Sequence, residues 1–346
     1  MGFLVLFHKR YSQHSGRNIE MMKQWMKRIG LTLGAGVLLA ACGGSDENAA
    51  NDGANKELAI GILQLMDHES LNASRQGFVD VLEEAGYVEG ENLTLDYQNA
   101  QGDQANLQTM SERLAGDNDL ILAIATPAVQ SLANIEKDTP ILFTAVTDPV
   151  DAGLVASLEK PGANITGTTD AGPIEEQVKL LLSVAEDAEN IGIIYNSSEP
   201  NSVIQADQAK AILEENDQNV VVLTVSSTND VQQAMESLAQ DVDGVYIPTD
   251  NTLASTMATV AQVAKNYKLP VVAAAADQVL DGGLATYGID YYELGRQTGE
   301  MALDILENGA TTADMAVQSS KNLELVVNEE MAEALGIDPA SITVPE

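Results

Sequence analysis

Leu120-Ile121-Leu122-Ala123-Ile124-Ala125-Thr126-Pro127-Ala128 is a run of six apolar residues that passes straight into a helix start. An unbroken apolar run of this length, rather than an alternating one, marks a strand buried on both faces, as in a parallel sheet covered by helices. Pro127 suits the first helical turn, where its missing amide costs nothing. The same pattern continues outward in both directions. Upstream lie an apolar strand at residues 58–63, an amphipathic helix at 74–85 with Phe78, Val79, Val81 and Leu82 facing inward, a strand at 93–97 and a helix at 103–115. Downstream come a helix at 128–135 and a strand at 141–146.

A second series repeats the plan. Helices are predicted at 173–184, 202–216, 231–238 and 252–267, alternating with strands at 191–195, 220–225, 244–247 and 271–274. Between the two series, the Gly/Thr-rich residues 162–172 suit a hinge, and Gly282-Gly283 before residues 284–288 suits a second crossing. A helix at 291–308 and a strand at 323–327 close the chain. The expected fold class is α/β, with two doubly wound parallel-sheet domains joined by a multi-crossing hinge. One lobe is assigned to residues 57–169 and 286–316, the other to 170–285 and 317–346.

The amino-terminal segment reads differently. Lys27-Arg28 precedes an apolar run of about 13 residues (29–41) that ends Leu39-Ala40-Ala41-Cys42-Gly43. A cationic region, a short apolar region and small residues at a cut describe a secretory signal, and Cys42 at its end reads as a lipidation site. The run falls short of the ~20 residues a spanning helix needs, so the anchor expected is lipid. Acyl chains on Cys42 and its new amino group give stable attachment. Residues 1–41 are thus an upstream leader and signal, with Met22 or Met26 a more plausible start. Residues 42–56, small and acidic, are a flexible tether. The protein is expected outside the cytoplasmic membrane, held by its lipid, as a monomer.

With 52 acidic against 17 basic residues, the formal net charge is −35. Nucleic-acid recognition needs a basic face, so that class of partner is excluded. The one cysteine is assigned to the anchor, leaving no thiol nucleophile or disulfide. Two of the three histidines precede the expected cut, so a Ser-His-Asp arrangement would have to use His68. Three or four nitrogen or sulfur ligands for zinc are missing, and so are a phosphate loop and a dinucleotide fingerprint. No metal, no cofactor and no enzymatic activity are expected.

In parallel α/β sheets, ligands collect beyond the carboxyl ends of the strands. The loops there contain Leu65 and His68; Thr126, Pro127 and Ala128; Thr147 and Asp148; Asn196, Ser197, Glu199, Asn201 and Ser202; Asp250 and Asn251; Asp277; and Tyr287. A hydroxyl at a helix start can take a carboxylate, and several carboxylates can hold an ammonium, so the inventory suits a zwitterion. The plainer readings stand beside it. Thr126, Ser202 and Asn251 are favoured N-caps, Asp148 before Pro149 fits a turn, and Glu199 and Asp250 fit a solvated acidic surface.

These loops also carry a family likeness. Residues 62–72 (ILQLMDHESLN), 126–128 (TPA), 143–155 (FTAVTDPVDAGLV), 160–167 (KPGANITG), 195–202 (YNSSEPNS), 288–295 (GIDYYELG) and 324–328 (ELVVN) occur in order. Together they resemble the tryptophan/tyrosine-type family of ABC-transporter substrate-binding proteins over residues 57–338. The resemblance implies a type I periplasmic-binding-protein fold, an amino-acid-like ligand that is often aromatic, and a permease and ATPase as partners. In the mechanism expected, a zwitterion enters an open cleft and its carboxylate takes the Thr126/Ala128 helix start. The ammonium pairs with Asp250 and Glu199 or Asp148, Asn196, Asn201 and Ser202 add hydrogen bonds, and Leu65 or Tyr287 covers the side chain. A sensory binding protein on the same fold, and a secreted α/β hydrolase, are the alternatives.

Overall fold

The computed structural model describes residues 57–344. The signal, Cys42 and the tether lie outside the described residues. In chain order the first sheet takes β1 (Leu58–Gln64), β2 (Leu93–Asn99), β3 (Leu120–Ile124), β4 (Ile141–Val146) and β5 (Ile165–Thr169), interleaved with α1 (Glu69–Glu84), α2 (Gln104–Leu114) and α3 (Thr126–Ile135). The second takes β6 (Asn190–Asn196), β7 (Asn219–Val225), β8 (Gly244–Ile247), β9 (Val271–Ala273) and β10 (Ala285–Ile289). Around it lie α4 (Ile174–Val184), α5 (Pro200–Glu215), α6 (Val231–Leu238), α7 (Asn251–Ala254), α8 (Met257–Tyr267) and α9 (Ala276–Leu280). The chain then returns through α10 (Tyr291–Asn308), β11 (Gln318–Ser319), β12 (Leu323–Val327) and α11 (Glu329–Leu335).

The strand orders are β11-β5-β4-β3-β1-β2 and β12-β10-β9-β8-β6-β7. Both are the 2-1-3-4-5 doubly wound order with one strand added at the edge. In each sheet the order reverses beside the first strand, and that reversal opens a crevice at the carboxyl ends. Every pairing is parallel except β10 with β12. Both central strands of the first sheet, β3 and β4, are buried throughout, as their apolar sequences, interrupted only by Thr144, require. On β8, Val245 and Ile247 pack with α6 and α8, while Tyr246 between them packs with α4 and α5 on the other face. Each such large side chain contributes about 1.5–3 kcal/mol by leaving water.

Three segments differ from expectation. Residues 165–169, expected within the hinge junction, form buried strand β5, because Gly167 lets the chain lie against Phe143, whose backbone oxygen would sit 2.0 Å from an added Cβ. The helix expected at 252–267 is two helices, α7 and α8, broken at Ser255-Thr256, where both hydroxyls turn back to donate to the Thr252 carbonyl. The boundary placed at 286 falls inside β10, a strand of the second sheet, and that placed at 317 falls before β11, which pairs with β5 of the first. The crossings come instead at residues 170–173, at Asp290 and at 320–322.

The returning helix α10 completes the first lobe by packing along α1. Gly295 and Gly77 make this approach possible. A Cβ on Gly295 would lie 1.9 Å from the Ser74 carbonyl oxygen, and one on Gly77 would lie 2.1 Å from that of Tyr292.

Candidate functional site

The two strand-order reversals face each other across the gap between the lobes. On the first lobe, the loop after β1 brings His68, and α1 brings Ser70 and Leu71. On the second, the loop after β8 brings Thr249 and Asp250, α7 brings Asn251, and α5 brings Asn201. Asp170 and Tyr291, from the first two crossings, complete a narrow cavity of only about 10 Å³. The lobes are therefore closed upon each other. His68 Nε2 meets Asn251 Oδ1 at 3.1 Å, and Gln205 Nε2 donates to Thr147 Oγ1 at 3.3 Å.

Asp170 ties the crossings together. Its carboxylate accepts from the Thr147 hydroxyl at 2.9 Å and from the Tyr291 hydroxyl at 2.7 Å. Burial pushes the Asp170 carboxyl above its ordinary range despite both bonds. Burial likewise raises the Tyr291 phenol, with the Asp170 charge adding to it. The sequence reading missed both residues: Asp170 stood in a stretch read as hinge, and Tyr291 opened a helix that was given no site role. Their signal was their position at crossings, visible only once the crossings are located.

The second lobe's carboxylates have partners of their own. Glu199 accepts from the Asn251 amide at 3.0 Å and its Nδ2 at 2.6 Å, and from the Thr252 amide at 3.0 Å and hydroxyl at 2.9 Å. Asp250 accepts from the amides of Asn196 at 2.6 Å and Leu253 at 2.8 Å. Together they cap α7. Burial, then the Glu199 charge, pushes the Asp250 carboxyl well upward. Asp148 holds a turn, accepting from the amides of Val150 and Asp151. The three carboxylates expected to hold an ammonium are thus engaged in shaping loops, because a carboxylate near helix starts satisfies amides that nothing else reaches.

Of the other expected residues, Asn196 spends its side chain on Thr252 Oγ1 and the Ser198 amide. Ser197 lies against the Val225 carbonyl, and Ser202 donates to that of Thr249. Leu65 is a core residue of the first lobe, and Tyr287 lies in β10, its carbonyl taken by Gln177. Neither lines the cavity. Asp277 approaches the first lobe beside Ser70 and Glu69, and burial raises its carboxyl to about 6. Pro127 borders a wider groove opposite Ser198 and Pro200. Ala128 is buried in α3, next to Thr126.

Three polar atoms here are buried without a hydrogen-bond partner: Thr126 Oγ1, His68 Nδ1 and Asn201 Oδ1. His68 is only partly covered by area yet deeply set among protein atoms, and this desolvation lowers it to about 4, against the raising effects of Asn251 and Asp67. Next to Thr126, Ala125 has φ +80°, and at the adjoining strand end Ala145 has φ +57°. Such values in residues with a Cβ mark strain of the kind found at ligand sites. Among the described residues no group of three His, Cys, Asp or Glu side chains is placed to hold a metal, and no helix is long and apolar enough to cross a membrane.

Known proteins share this construction. A family described as ABC transporter substrate binding protein matches residues 59–343. A tyrosine-binding protein of Clostridioides difficile is 41% identical over 325 residues, covering 91% of this chain and 94% of its own. Among solved structures, an ABC domain in complex with L-Trp from Streptococcus pneumonia superposes with a TM-score of 0.78 at 39% identity, over 84% of this chain and 96% of the other. The ligand-free, open structure of a substrate binding protein with adhesive properties from Clostridium difficile gives 0.64 at 45% identity, over 81% and 95%.

Proposed function

Since the chain belongs to the ABC transporter substrate-binding protein family, we propose that it captures a free amino acid of the tryptophan or tyrosine type between its lobes and hands it to an importing permease and ATPase. The family binds solutes rather than transforming them, and this protein is not an enzyme. The observation that carries the ligand reading is the cavity itself, bounded by both lobes and both strand-order reversals, with unpartnered polar atoms buried at it or beside it. The carboxylate would lie at the start of α3, where the Thr126 hydroxyl lacks a partner and the helix dipole favours an anion.

Capture proceeds by closure. The chain is less identical to the tryptophan complex than to the open, ligand-free protein, yet superposes better on the former, which supports a closed arrangement here. A ligand drives closure only through contacts that exist in the closed state alone. The lipid on Cys42 would hold the protein beside its permease, outside the cytoplasmic membrane. Isothermal titration with L-Trp, L-Tyr, L-Phe, leucine and a nucleoside tests the reading. Tight binding of aromatic amino acids is expected, and binding of the nucleoside but no amino acid would overturn it.

A further inference from the structure

The cavity holds two acceptors whose identities are fixed by the groups behind them. The Glu199 carboxylate takes four donors, so it must face the Asn251 amide nitrogen, and Asn251 Oδ1 therefore faces His68. An amide oxygen only accepts. Hence His68 Nε2 carries the ring proton, and Nδ1 presents a bare lone pair. Asn201 is fixed in the same way: its Nδ2 donates to the Thr249 carbonyl at 2.9 Å, which leaves Oδ1 as the acceptor. Both lone pairs are buried without a partner, both residues line the one cavity, and they belong to opposite lobes. A buried acceptor left unpaired is costly.

Building on the amino-acid reading above, we infer that His68 Nδ1 and Asn201 Oδ1 jointly receive the N–H groups of the ligand's α-ammonium, one acceptor from each lobe. Asp170 and Asp250 stand in the same wall, but burial raises both carboxyls, so the contact rests on the two neutral acceptors. The desolvation that lowers His68 to about 4 keeps its ring neutral near pH 7, the form in which Nδ1 can accept. The pair is complete only when the lobes are closed, so the ammonium itself rewards closure.

Two substitutions separate the halves of the His68 ring. His68→Gln keeps a donor for Asn251 and removes the Nδ1 lone pair. His68→Asn keeps an acceptor near Nδ1 and gives up the reach to Asn251. The expected result is a roughly ten- to hundredfold loss of L-Trp, L-Tyr and L-Phe affinity alike in His68→Gln and in Asn201→Ala, with a smaller loss in His68→Asn. In ¹⁵N-histidine NMR of the full chain, the signal lost in His68→Asn should be that of an Nε2–H tautomer. An unchanged affinity in His68→Gln, an Nδ1–H tautomer, or a loss confined to Tyr and Trp and absent for Phe would each overturn the assignment. If the unsubstituted protein binds no amino acid at all, the fault lies in the functional reading instead.

Discussion

Replacing Glu199 by Gln changes one atom in the junction that supports α7 and, through Asn251, His68. The carboxylate receives two donors on each oxygen, whereas a Gln side chain offers one oxygen. The least costly placement keeps that oxygen toward Asn251 and turns the new NH₂ toward Thr252. The Thr252 hydroxyl already accepts from Asn196 Nδ2 at 2.8 Å and can accept once more, but the Thr252 amide then has no acceptor. A buried donor left unpaired costs about 1–3 kcal/mol, offset in part by relief of the repulsion that raises Asp250. At about 2–4 °C per kcal/mol, the ligand-free protein should melt several degrees lower. Affinity for L-Trp should fall only a few-fold, as Asn251 loosens behind His68. Differential scanning calorimetry and titration together decide the matter. If Glu199→Gln leaves the melting temperature unchanged while affinity falls more than tenfold, Glu199 binds the ammonium directly and the capping argument is refuted.

Gly295→Ala should be more damaging than its chemistry suggests. Regaining an ordinary 3.4 Å contact from 1.9 Å requires α1 and α10 to part by about 1.5 Å, at about 1–3 kcal/mol against a helix-propensity gain of about 1 kcal/mol; a variant that melts like the parent would sink this. Asp277→Asn tests the contact with α1. A carboxyl raised to about 6 favours the folded, closed form at low pH and penalises it as pH climbs from its unfolded value near 3.8 through 6. The variant should therefore be the more stable at pH 7, with the gap closing toward pH 4, and parallel stability–pH curves would contradict it. Thr126→Val removes a hydroxyl that no protein group uses, so ligand-free stability should hold while L-Trp affinity drops about tenfold; unchanged affinity would move the carboxylate elsewhere.

The lobes were legible because their strands announce themselves: β3 and β8 are apolar runs, and β4 is one but for Thr144, as a covered parallel sheet favours. The cleft was legible as an edge, since strand-end loops gather there in this architecture. Which atoms face a ligand was not. Glu199 and Asp250 carry the charge an ammonium seeks, but in space they meet the amides of α7 first. His68 and Asn201 were in the inventory, yet their role depends on Asn251 and Thr249 fixing which way each ring or amide lies, and no spacing in the chain encodes that. Asp170 was hidden for a simpler reason. Residues 165–169 look like linker because Gly and Thr dominate them, although Gly167 is there to bring two strands together.

The path of α10 and β11 has a consequence for how the protein is made. The first lobe's core includes Tyr291, Leu294, Met301 and Ala302, residues synthesised after five strands of the second sheet. Its edge strand β11 comes later still, and the second sheet waits for β12 at Leu323–Val327. Domains usually fold in order as they leave the ribosome. Here neither lobe can complete itself until nearly the whole chain has emerged, so the nascent polypeptide stays without a finished core through almost all of its synthesis.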